Sequence, residues 1–265
     1  MNATSPFDLS GRSVLVTGAT GYLGQEMARA LARSGAHVLV NGRDKARCAA
    51  LADTLKAEGL TAQEAAFDIR DDDEVDTFFT NFDASPLACL INNAYAGGGG
   101  TIQTASLDAF RTSYDVAVVS AQRLIMAALP HLKATVAKFG DASIINLASM
   151  YGLVSPDPRN YATPEGTNPP FYGAAKAALV QYTRYAACEL GGDGIRVNAL
   201  APGPFPQTNV QRDAPEFVAQ LAQKTPLGRV GKAHEIGGPV VFLASPASSF
   251  VTGSTLRADG GWTAW

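Results

Sequence analysis

Short apolar runs alternate along the chain with longer segments in which apolar residues recur every three or four positions. The run 13–16 is of the first kind, and the segment after it carries Met27, Ala30 and Leu31 at helical spacing. The whole pattern predicts strands near 13–17, 37–41, 62–67, 87–92, 143–148, 194–200 and 254–258, and helices near 22–34, 44–58, 72–82, 106–138, 172–190 and 233–244. Such alternation predicts an α/β protein with a doubly wound parallel sheet and helices on both faces. Ligands of these sheets bind outside the carboxyl ends of the strands.

The first predicted strand runs into a glycine-rich turn, Thr17-Gly18-Ala19-Thr20-Gly21-Tyr22-Leu23-Gly24, which opens the first predicted helix. Glycines let the backbone turn tightly beside a pyrophosphate, and the free N–H groups at the helix start bind the anion. A tight turn without a ligand is the alternative, but the strand before it and the helix after it favour nucleotide binding. We therefore predict one Rossmann-type dinucleotide-binding and catalytic domain over residues 1–265.

A tyrosine and a lysine stand four residues apart, at Tyr172 and Lys176, where a predicted helix begins. Residues at this spacing share a helical face, so the ammonium can lie beside the phenol and favour the phenolate. A phenol that ordinarily titrates near ~10 then exchanges its proton closer to neutral pH. An exposed helix pair is the alternative interpretation. Ser149 ends the fifth predicted strand, where capping the strand end would be its alternative role.

Together these motifs resemble the short-chain dehydrogenase/reductase family in its single-domain branch, and the gluconate 5-dehydrogenase-type subgroup within it. The resemblance runs nearly end to end. Besides the two motifs above, it rests on Asp68 after the third strand, Asn92-Asn93-Ala94 after the fourth, 195–198 with Pro202-Gly203 after the sixth, and the segments 226–229 and 259–261.

The resemblance implies an oxidoreductase that interconverts a carbonyl and a secondary alcohol by hydride transfer with a nicotinamide cofactor. It implies that Ser149 binds the reacting oxygen, that Tyr172 is the general acid/base, and that Lys176 holds the nicotinamide ribose. No metal site is expected. Cofactor contacts are implied for Thr17, Gly18, Gly21, Tyr22, Leu23, Gly24, Arg43, Asp68, Ile69, Asn92, Ala94, Tyr172, Lys176, Pro202, Gly203 and Phe205.

The end of the second predicted strand bears on the choice of cofactor. Family members that prefer NAD carry an acidic residue about where Gly42 stands, and that residue would repel a 2′-phosphate. Gly42 removes the repulsion, and Arg43 can pair with the phosphate through charge-assisted hydrogen bonds. NADP(H) is therefore favoured over NAD. The competing interpretation makes Asp44 the ribose acceptor, but Asp44 also stands where the next helix needs an N-cap.

Three residues depart from the family pattern. Tyr22 stands where the turn ordinarily has its second glycine, and Tyr95 replaces the glycine after Asn-Asn-Ala, where it lines the pocket or simply packs. Ala117 replaces an asparagine that ordinarily holds a water beside the catalytic lysine. Ser113 and Ser120 lie on the same helical face as Ala117, so a serine hydroxyl could hold an equivalent water.

Ser149 and Tyr172 are further apart than is usual in the family, so the segment 155–170 is interpreted as an insertion that borders the substrate site. Aromatic walls (Tyr95, Tyr151 and Phe205) and polar contacts (Arg159, Asn160 and Glu165) suit a polyol or a sugar acid. A 3-oxoacyl thioester reductase is the alternative enzyme. A non-catalytic NADP(H)-sensing protein is the alternative from another class, and Ala117 is its main support.

The composition of the chain limits the kinds of partner that it is expected to bind. The chain is 46% hydrophobic and 17% charged, with a net charge of −3, so no basic stripe is available for nucleic acid. Three cysteines without metal-ligand spacing predict reduced packing residues and a cytoplasmic protein. No leader and no apolar run near ~18 residues is found, so no membrane partner is expected. A small-molecule substrate and a homo-oligomer, tetramer or dimer, are implied by the resemblance, with contacts through the helices near 106–138 and 172–190 and the tail 262–265.

Overall fold

The central strands of the protein are buried on both sides, as parallel strands covered by helices should be: β4 (Leu87–Asn92) and β5 (Ala142–Leu147) are buried at every position. The computed structural model describes residues 5–83 and 86–265. Within them, seven parallel strands form one sheet in the order β3-β2-β1-β4-β5-β6-β7. The other strands are β1 (Ser13–Val16), β2 (His37–Gly42), β3 (Ala62–Ala66), β6 (Ile195–Pro202) and β7 (Thr255–Ala258). The predicted fold class is thus confirmed.

The α-helices cover both faces of this sheet. Side-chain caps begin several of them: Asp44, Asp71 and Ser106 each accept a hydrogen bond from a backbone N–H three residues later. In chain order the helices are α1 (Tyr22–Arg33), α2 (Lys45–Ala57), α3 (Asp72–Thr80), α4 (Leu107–Tyr114), α5 (Ser120–Phe139), α6 (Pro170–Leu190), α7 (Thr208–Asp213), α8 (Pro215–Gln223) and α9 (Gly237–Ala244).

The sequence pattern differs from the structure in three places. The predicted helix 106–138 is divided into α4 and α5 by one π-helical turn, Asp115–Val119, which has Ala117 at its centre. The start of the predicted helix 233–244 is a 3₁₀ turn, Ala233–Ile236. Helices α7 and α8 were not predicted, because α7 is a short segment with no buried residue and α8 buries only Leu221. Short segments with little buried surface give weak periodicity.

The strand order reverses between β1 and β4, since β1 leads to β2 on one side while β4 leads to β5 on the other. A crevice forms at such a point outside the carboxyl ends of the strands. The glycine turn follows β1, the Asn-Asn-Ala segment follows β4, and Ser149 follows β5, so all three motifs reach this crevice. Between β5 and α6, the segment 155–170 folds into two single 3₁₀ turns, Pro158–Asn160 and Pro164–Gly166.

Candidate active site

The glycine turn has the geometry of an anion site. Gly18 adopts a φ of +61°, and a Cβ on it would lie 2.8 Å from the Cα of Ala94, so only glycine fits there. Helix α1 begins at Tyr22 behind Gly21, with no side-chain cap and no acidic residue in its first turn. The first N–H groups of that helix are therefore left for an anionic ligand.

Tyr22 fits this turn without strain. No non-glycine residue in the described ranges has a positive φ, so the position needs no glycine. The phenol oxygen of Tyr22 lies 3.5 Å from the amide nitrogen of Gln211 on α7, which brings α7 to the edge of the turn. Tyr22 therefore departs from the family pattern in its side chain, while its backbone keeps the helix start.

The end of β2 keeps the features used to infer the cofactor. Asp44 accepts the backbone N–H of Arg47 at 3.1 Å and caps α2, as its alternative role predicted. A Cβ on Gly42 would lie 3.0 Å from the sulfur of Cys48, which leaves little room for a larger residue. Arg43 is exposed. Arg47, for which the sequence analysis predicted no role, donates to the carbonyl of Thr20 in the glycine turn at 3.1 Å. Arg43 and Arg47 therefore both lie just after the end of β2, a region called the β2 corner below.

Asp68 and Ile69 lie beside the β2 corner. Burial acts to raise the pKa of Asp68, but hydrogen bonds and charge from Arg70, with the charge of Arg43, bring this pKa below its ordinary value. The guanidinium of Arg70 donates to the Asp68 carboxylate at 3.0 Å. Ile69 is buried and lines a small cavity that also touches Asn92 and Lys176.

The segment after β4 is tied to β1. The hydroxyl of Thr17 accepts the N–H groups of Asn93 at 2.9 Å and Ala94 at 3.1 Å. The Asn93 amide donates to the carbonyl of Thr17 at 2.7 Å, a bridging role that the sequence alone did not assign. Asn92 donates to the side chain of Asn146 at 2.8 Å, while its own buried oxygen has no partner among the described residues.

Ser149, Tyr172 and Lys176 meet at the carboxyl end of β5. Ser149 lies two residues after the end of the strand, and its hydroxyl accepts the N–H of Tyr151 at 3.1 Å. Tyr172 is in the first turn of α6, and Lys176 lies one turn further on. The Lys176 ammonium donates to the carbonyl of Leu147 at 2.5 Å and lies 5.8 Å from the centre of the Tyr172 ring.

Burial controls the proton affinities of this pair. It lowers the pKa of Lys176 to about 8. It raises the pKa of Tyr172, with the Ser149 hydroxyl acting in the opposite direction and the nearby Tyr95 adding to the rise. The sequence predicted that the lysine would lower the tyrosine pKa. In this structure the ammonium is turned towards Leu147 instead, because helical spacing fixes the shared face but not where a four-carbon side chain ends.

Tyr95 lies between these groups. Its ring meets the Tyr172 ring edge to face, with centres 4.9 Å apart, and the Lys176 ammonium lies 5.0 Å from its centre. Its hydroxyl is 2.8 Å from the hydroxyl of Ser113. Ser120 accepts a long hydrogen bond from Arg123 at 3.4 Å. Ser113 and Ser120, proposed from the sequence as water holders, are thus engaged with other side chains.

The insertion forms one wall beside the catalytic residues. The hydroxyls of Tyr151 and Tyr161 are 3.0 Å apart, and Tyr161 packs against Phe217 of α8 with ring centres 5.5 Å apart. Asp157 forms an ion pair with Lys224 just beyond α8. Helix α8, which the sequence analysis missed, therefore closes the site together with the insertion.

Of the three polar residues of the insertion that were expected to contact the substrate, two are exposed and one is buried. Arg159 is 88% exposed at its side chain and pairs with Asp157, and Glu165 is also exposed, whereas Asn160 is buried. The insertion lines a cavity of about 720 Å³ together with the outer face of α6. Tyr172 does not line that cavity, because its ring packs on the inner side with Met150, Tyr151 and Trp262.

The residues after β6 face a different cavity. Gly203 donates its N–H to the carbonyl of Ala258 at 3.0 Å, which ties the turn after Pro202 to β7. Phe205 lines a cavity of about 390 Å³ with Arg229 and Arg257. The ring of Phe205 lies against Gly231, so in this structure it does not wall the space in front of Tyr172. The described residues hold no cluster of candidate metal ligands, and no described helix is long and apolar enough to span a membrane.

Comparisons with known proteins agree with this geometry. Residues 18–263 match the family model described as enoyl-(acyl carrier protein) reductase. The chain is 34% identical to galactitol 2-dehydrogenase (L-tagatose-forming) of Cereibacter sphaeroides over 100% of both chains. It is 35% identical to gluconate 5-dehydrogenase of Gluconobacter oxydans, covering 97% of this chain and 96% of the relative.

A solved structure shows the same likeness. The gluconate 5-dehydrogenase of Burkholderia cenocepacia, in complex with NADP and tartrate, matches with a TM-score of 0.86 and 31% identity over 98% of both chains. The chain therefore belongs to the short-chain dehydrogenase/reductase family, an oxidoreductase family, and the resemblance inferred from the motifs is confirmed. Its relatives are dehydrogenases and reductases.

Proposed function

We propose that this protein is an NADP(H)-dependent oxidoreductase that interconverts a carbonyl and a secondary alcohol on a small polar substrate, a polyol or a sugar acid. The observation that carries the proposal is the meeting of Ser149, Tyr172 and Lys176 at the carboxyl end of β5. Thr17 and Lys176 line one cavity, so this cluster lies directly beside the start of the glycine turn. A proton-transfer pair beside an anion site is what hydride transfer to a carbonyl needs.

We assign a role to each of these side chains on the basis of the family resemblance. When bound, a nicotinamide cofactor supplies the hydride in reduction and accepts it in oxidation. Ser149 hydrogen-bonds the reacting oxygen, and Tyr172 gives its proton to that oxygen in reduction and takes it back in oxidation. Lys176 holds the nicotinamide ribose, and its ammonium lies beside the Tyr172 ring. The residues proposed to bind the cofactor are Thr17, Gly18, Gly21, Tyr22, Leu23, Gly24, Arg43, Asp68, Ile69, Asn92, Ala94, Tyr172, Lys176, Pro202, Gly203 and Phe205.

NADP(H) is proposed over NAD(H) because the end of β2 offers positive charge and carries no acidic side chain at position 42. Arg43 contributes its charge there, and Asp44 is occupied as the cap of α2. The relative crystallised with NADP supports this choice. A polyol or sugar acid is proposed because two relatives are a galactitol and a gluconate dehydrogenase. The paired phenols of Tyr151 and Tyr161 supply hydroxyls that suit such a substrate.

The proposed enzyme is one domain over residues 1–265, with 155–170 as an insertion near the substrate. It is proposed to work as a homo-oligomer, a tetramer or dimer, since α4 and α5 expose large apolar side chains at Leu107 and Met126. Of the two tryptophans in the tail, Trp262 is buried within the chain and Trp265 is exposed and available for such a contact. A cytoplasmic location is proposed because Cys48, Cys89 and Cys188 are all free.

The test is turnover with and without the transferable proton. We expect the wild type to reduce NADP⁺ with a member of a panel of polyols and sugar acids, or to oxidise NADPH with the matching ketones. Tyr172→Phe should lower kcat by about 100-fold or more, the low end of general acid/base contributions, while NADPH affinity stays within a few-fold. Tyr185→Phe on the exposed face of the same helix is the control and should keep full activity.

Two outcomes would contradict the proposal: no turnover of any substrate by the wild type, which favours a cofactor-sensing protein, or undiminished turnover by Tyr172→Phe. The panel also includes a 3-oxoacyl thioester, because the matched family model is described as an acyl carrier protein reductase. Selective turnover of that thioester would establish the second candidate function.

A further inference from the structure

The Lys176 ammonium is buried with few polar partners. The residue is 3% exposed, and within the described ranges its nitrogen makes one hydrogen bond, to the carbonyl of Leu147 at 2.5 Å. An ammonium carries three N–H donors, and burying unpaired donors costs free energy. Two aromatic rings also lie near this nitrogen: the ring centre of Tyr95 is 5.0 Å away and that of Tyr172 is 5.8 Å away. Both distances are within the ~6 Å range of cation–π attraction.

Tyr95 is fixed in this position by hydrogen bonds. Its hydroxyl lies 2.8 Å from the hydroxyl of Ser113, which in turn donates to the carbonyl of Phe171 at 3.1 Å. Because Ser113 has one hydroxyl hydrogen and that hydrogen goes to Phe171, Tyr95 must be the donor in the first bond. Phe171 immediately precedes Tyr172, so this chain of hydrogen bonds ties the Tyr95 ring to the first turn of α6.

The residues packed around the Tyr95 ring leave a space that matches the shape of the ring. A Cβ on Gly97 would lie 2.8 Å from both the ring edge and the hydroxyl of Tyr95, so the glycine makes room for the phenol. On the other side, the ring packs against a cluster of mostly small residues that includes Ala117, Ala121 and Ala175. The short side chains of α5, α6 and the π-helical turn thus admit an aromatic ring next to Lys176.

We propose that Tyr95 is a positioning residue for the proton-transfer pair, and that its ring face stabilises the ammonium of Lys176 inside the closed site. The proposal rests on the proposed function for its catalytic meaning, while the ammonium contact itself is independent of turnover. If Tyr95 only filled space, the pKa of Lys176 would depend on the size of the ring alone. If the ring binds the ammonium, this pKa depends also on the electron density of the ring.

The test varies that electron density at nearly constant shape. Tyr95 is replaced by phenylalanine and, in a second variant, by a phenylalanine analogue with three ring fluorines. The lysine side chains are labelled with ¹³C at Cε, and the Lys176 signal is the one missing from Lys176→Met. Its pKa is then read from an NMR titration of the cofactor-free protein.

We expect Tyr95→Phe to keep the Lys176 pKa near that of the wild type and the fluorinated ring to lower it by about 0.4–1.5 pH units. This range follows because a partly desolvated cation–π contact is worth roughly 0.5–2 kcal/mol and one pKa unit corresponds to about 1.4 kcal/mol. The titratable groups facing Lys176 are the phenols of Tyr95 and Tyr172, whose pKa values are both raised by burial. They stay neutral in this range, so the signal reports the ammonium.

The same fluorinated residue at Tyr185, exposed on α6, is the control and should leave the Lys176 pKa unchanged. Equal Lys176 pKa values in the phenylalanine and fluorinated variants would overturn the cation contact, whether or not a substrate is found. With an active substrate, the pH dependence of kcat/KM should shift in the same order as the Lys176 pKa. Unchanged pH profiles alongside a shifted lysine would overturn the catalytic meaning alone.

Discussion

Replacing Lys176 by methionine should stabilise the cofactor-free protein at neutral pH. Burial lowers the pKa of Lys176 from 10.5 to about 8, so its folded pKa lies below its unfolded pKa. Between these two values the unfolded chain binds more protons than the folded chain, and the free energy of unfolding therefore rises with pH. The buried ammonium costs the fold its full penalty below the folded pKa, and the penalty disappears above the unfolded pKa. Methionine keeps the apolar stem and removes the charge.

The size of the effect follows from the shift. One pKa unit corresponds to about 1.4 kcal/mol, so the fall of the Lys176 pKa from 10.5 to about 8 costs roughly 3 kcal/mol at pH values well below 8. Near pH 9.5 the folded lysine is already neutral, and roughly 1.4 kcal/mol of the penalty remains. The variant also loses the hydrogen bond to Leu147, worth about 1 kcal/mol at every pH. We expect Lys176→Met to be more stable than the wild type by roughly 2 kcal/mol near pH 7, and about equal to it near pH 9.5.

The assay is urea unfolding of both proteins at a fixed protein concentration, from about pH 7 to about pH 9.5, followed by circular dichroism. Lys133→Met is the matched control, since Lys133 is about half exposed and paired with Asp193 on the surface. Its stability difference from the wild type should stay nearly constant across the range. Parallel stability curves for the wild type and Lys176→Met would refute the reasoning, because they would show that Lys176 titrates alike in the folded and unfolded chains.

Two further predictions concern the cofactor and the insertion. Arg43→Ala should weaken NADPH binding about 10- to 100-fold and NADH binding little, because the charge-assisted hydrogen bonds to a 2′-phosphate are worth roughly 1.5–3 kcal/mol. Equal affinity of the wild type for both cofactors, measured by fluorescence titration, would contradict this prediction. The Arg47→Ala variant shows which of the two arginines binds the phosphate. Replacing 155–170 by a short turn should change the substrate range on the panel more than NADPH affinity, since the insertion packs on α8 through Tyr161 and Asp157. Equal loss of both would show a folding role instead.

Much of the framework could be predicted from the sequence because it depends on local signals. The seven strands lie at the segments that the apolar pattern predicts, and the glycine turn depends on a positive φ at Gly18 that few other residues adopt. The N-cap role of Asp44 was also visible, since an Asp before a helical run has a well-defined local hydrogen bond. Parallel order then brings the strand ends to one edge, so motifs far apart in sequence can be placed together without knowing any side-chain contact.

The parts that were missed depend on tertiary contacts. Helix α8 has little buried surface of its own and lies against the insertion through Lys224 and Phe217, which no local pattern reveals. The π-helical turn at 115–119 changes the phase of the helix face by one residue, so helical spacing across it misplaces Ser113 relative to Ser120. The direction of the Lys176 side chain depends on an acceptor, the carbonyl of Leu147, that belongs to another element.

Ala117 and Tyr95 are best understood together. Ser113 is bonded to Tyr95 and Phe171, so its hydroxyl is not free to hold a water beside Lys176. The cavity next to Ala117, also lined by Lys176 and Asn92, measures about 10 Å³, which is room for one water at most. Water can therefore meet only a small part of the ammonium from this side. Ala117 places an apolar side chain in the π-helical turn, and it also belongs to the cluster on which the Tyr95 ring packs. Alanine in place of the family's asparagine therefore makes the surroundings of Lys176 apolar and also provides space for the aromatic ring beside its ammonium.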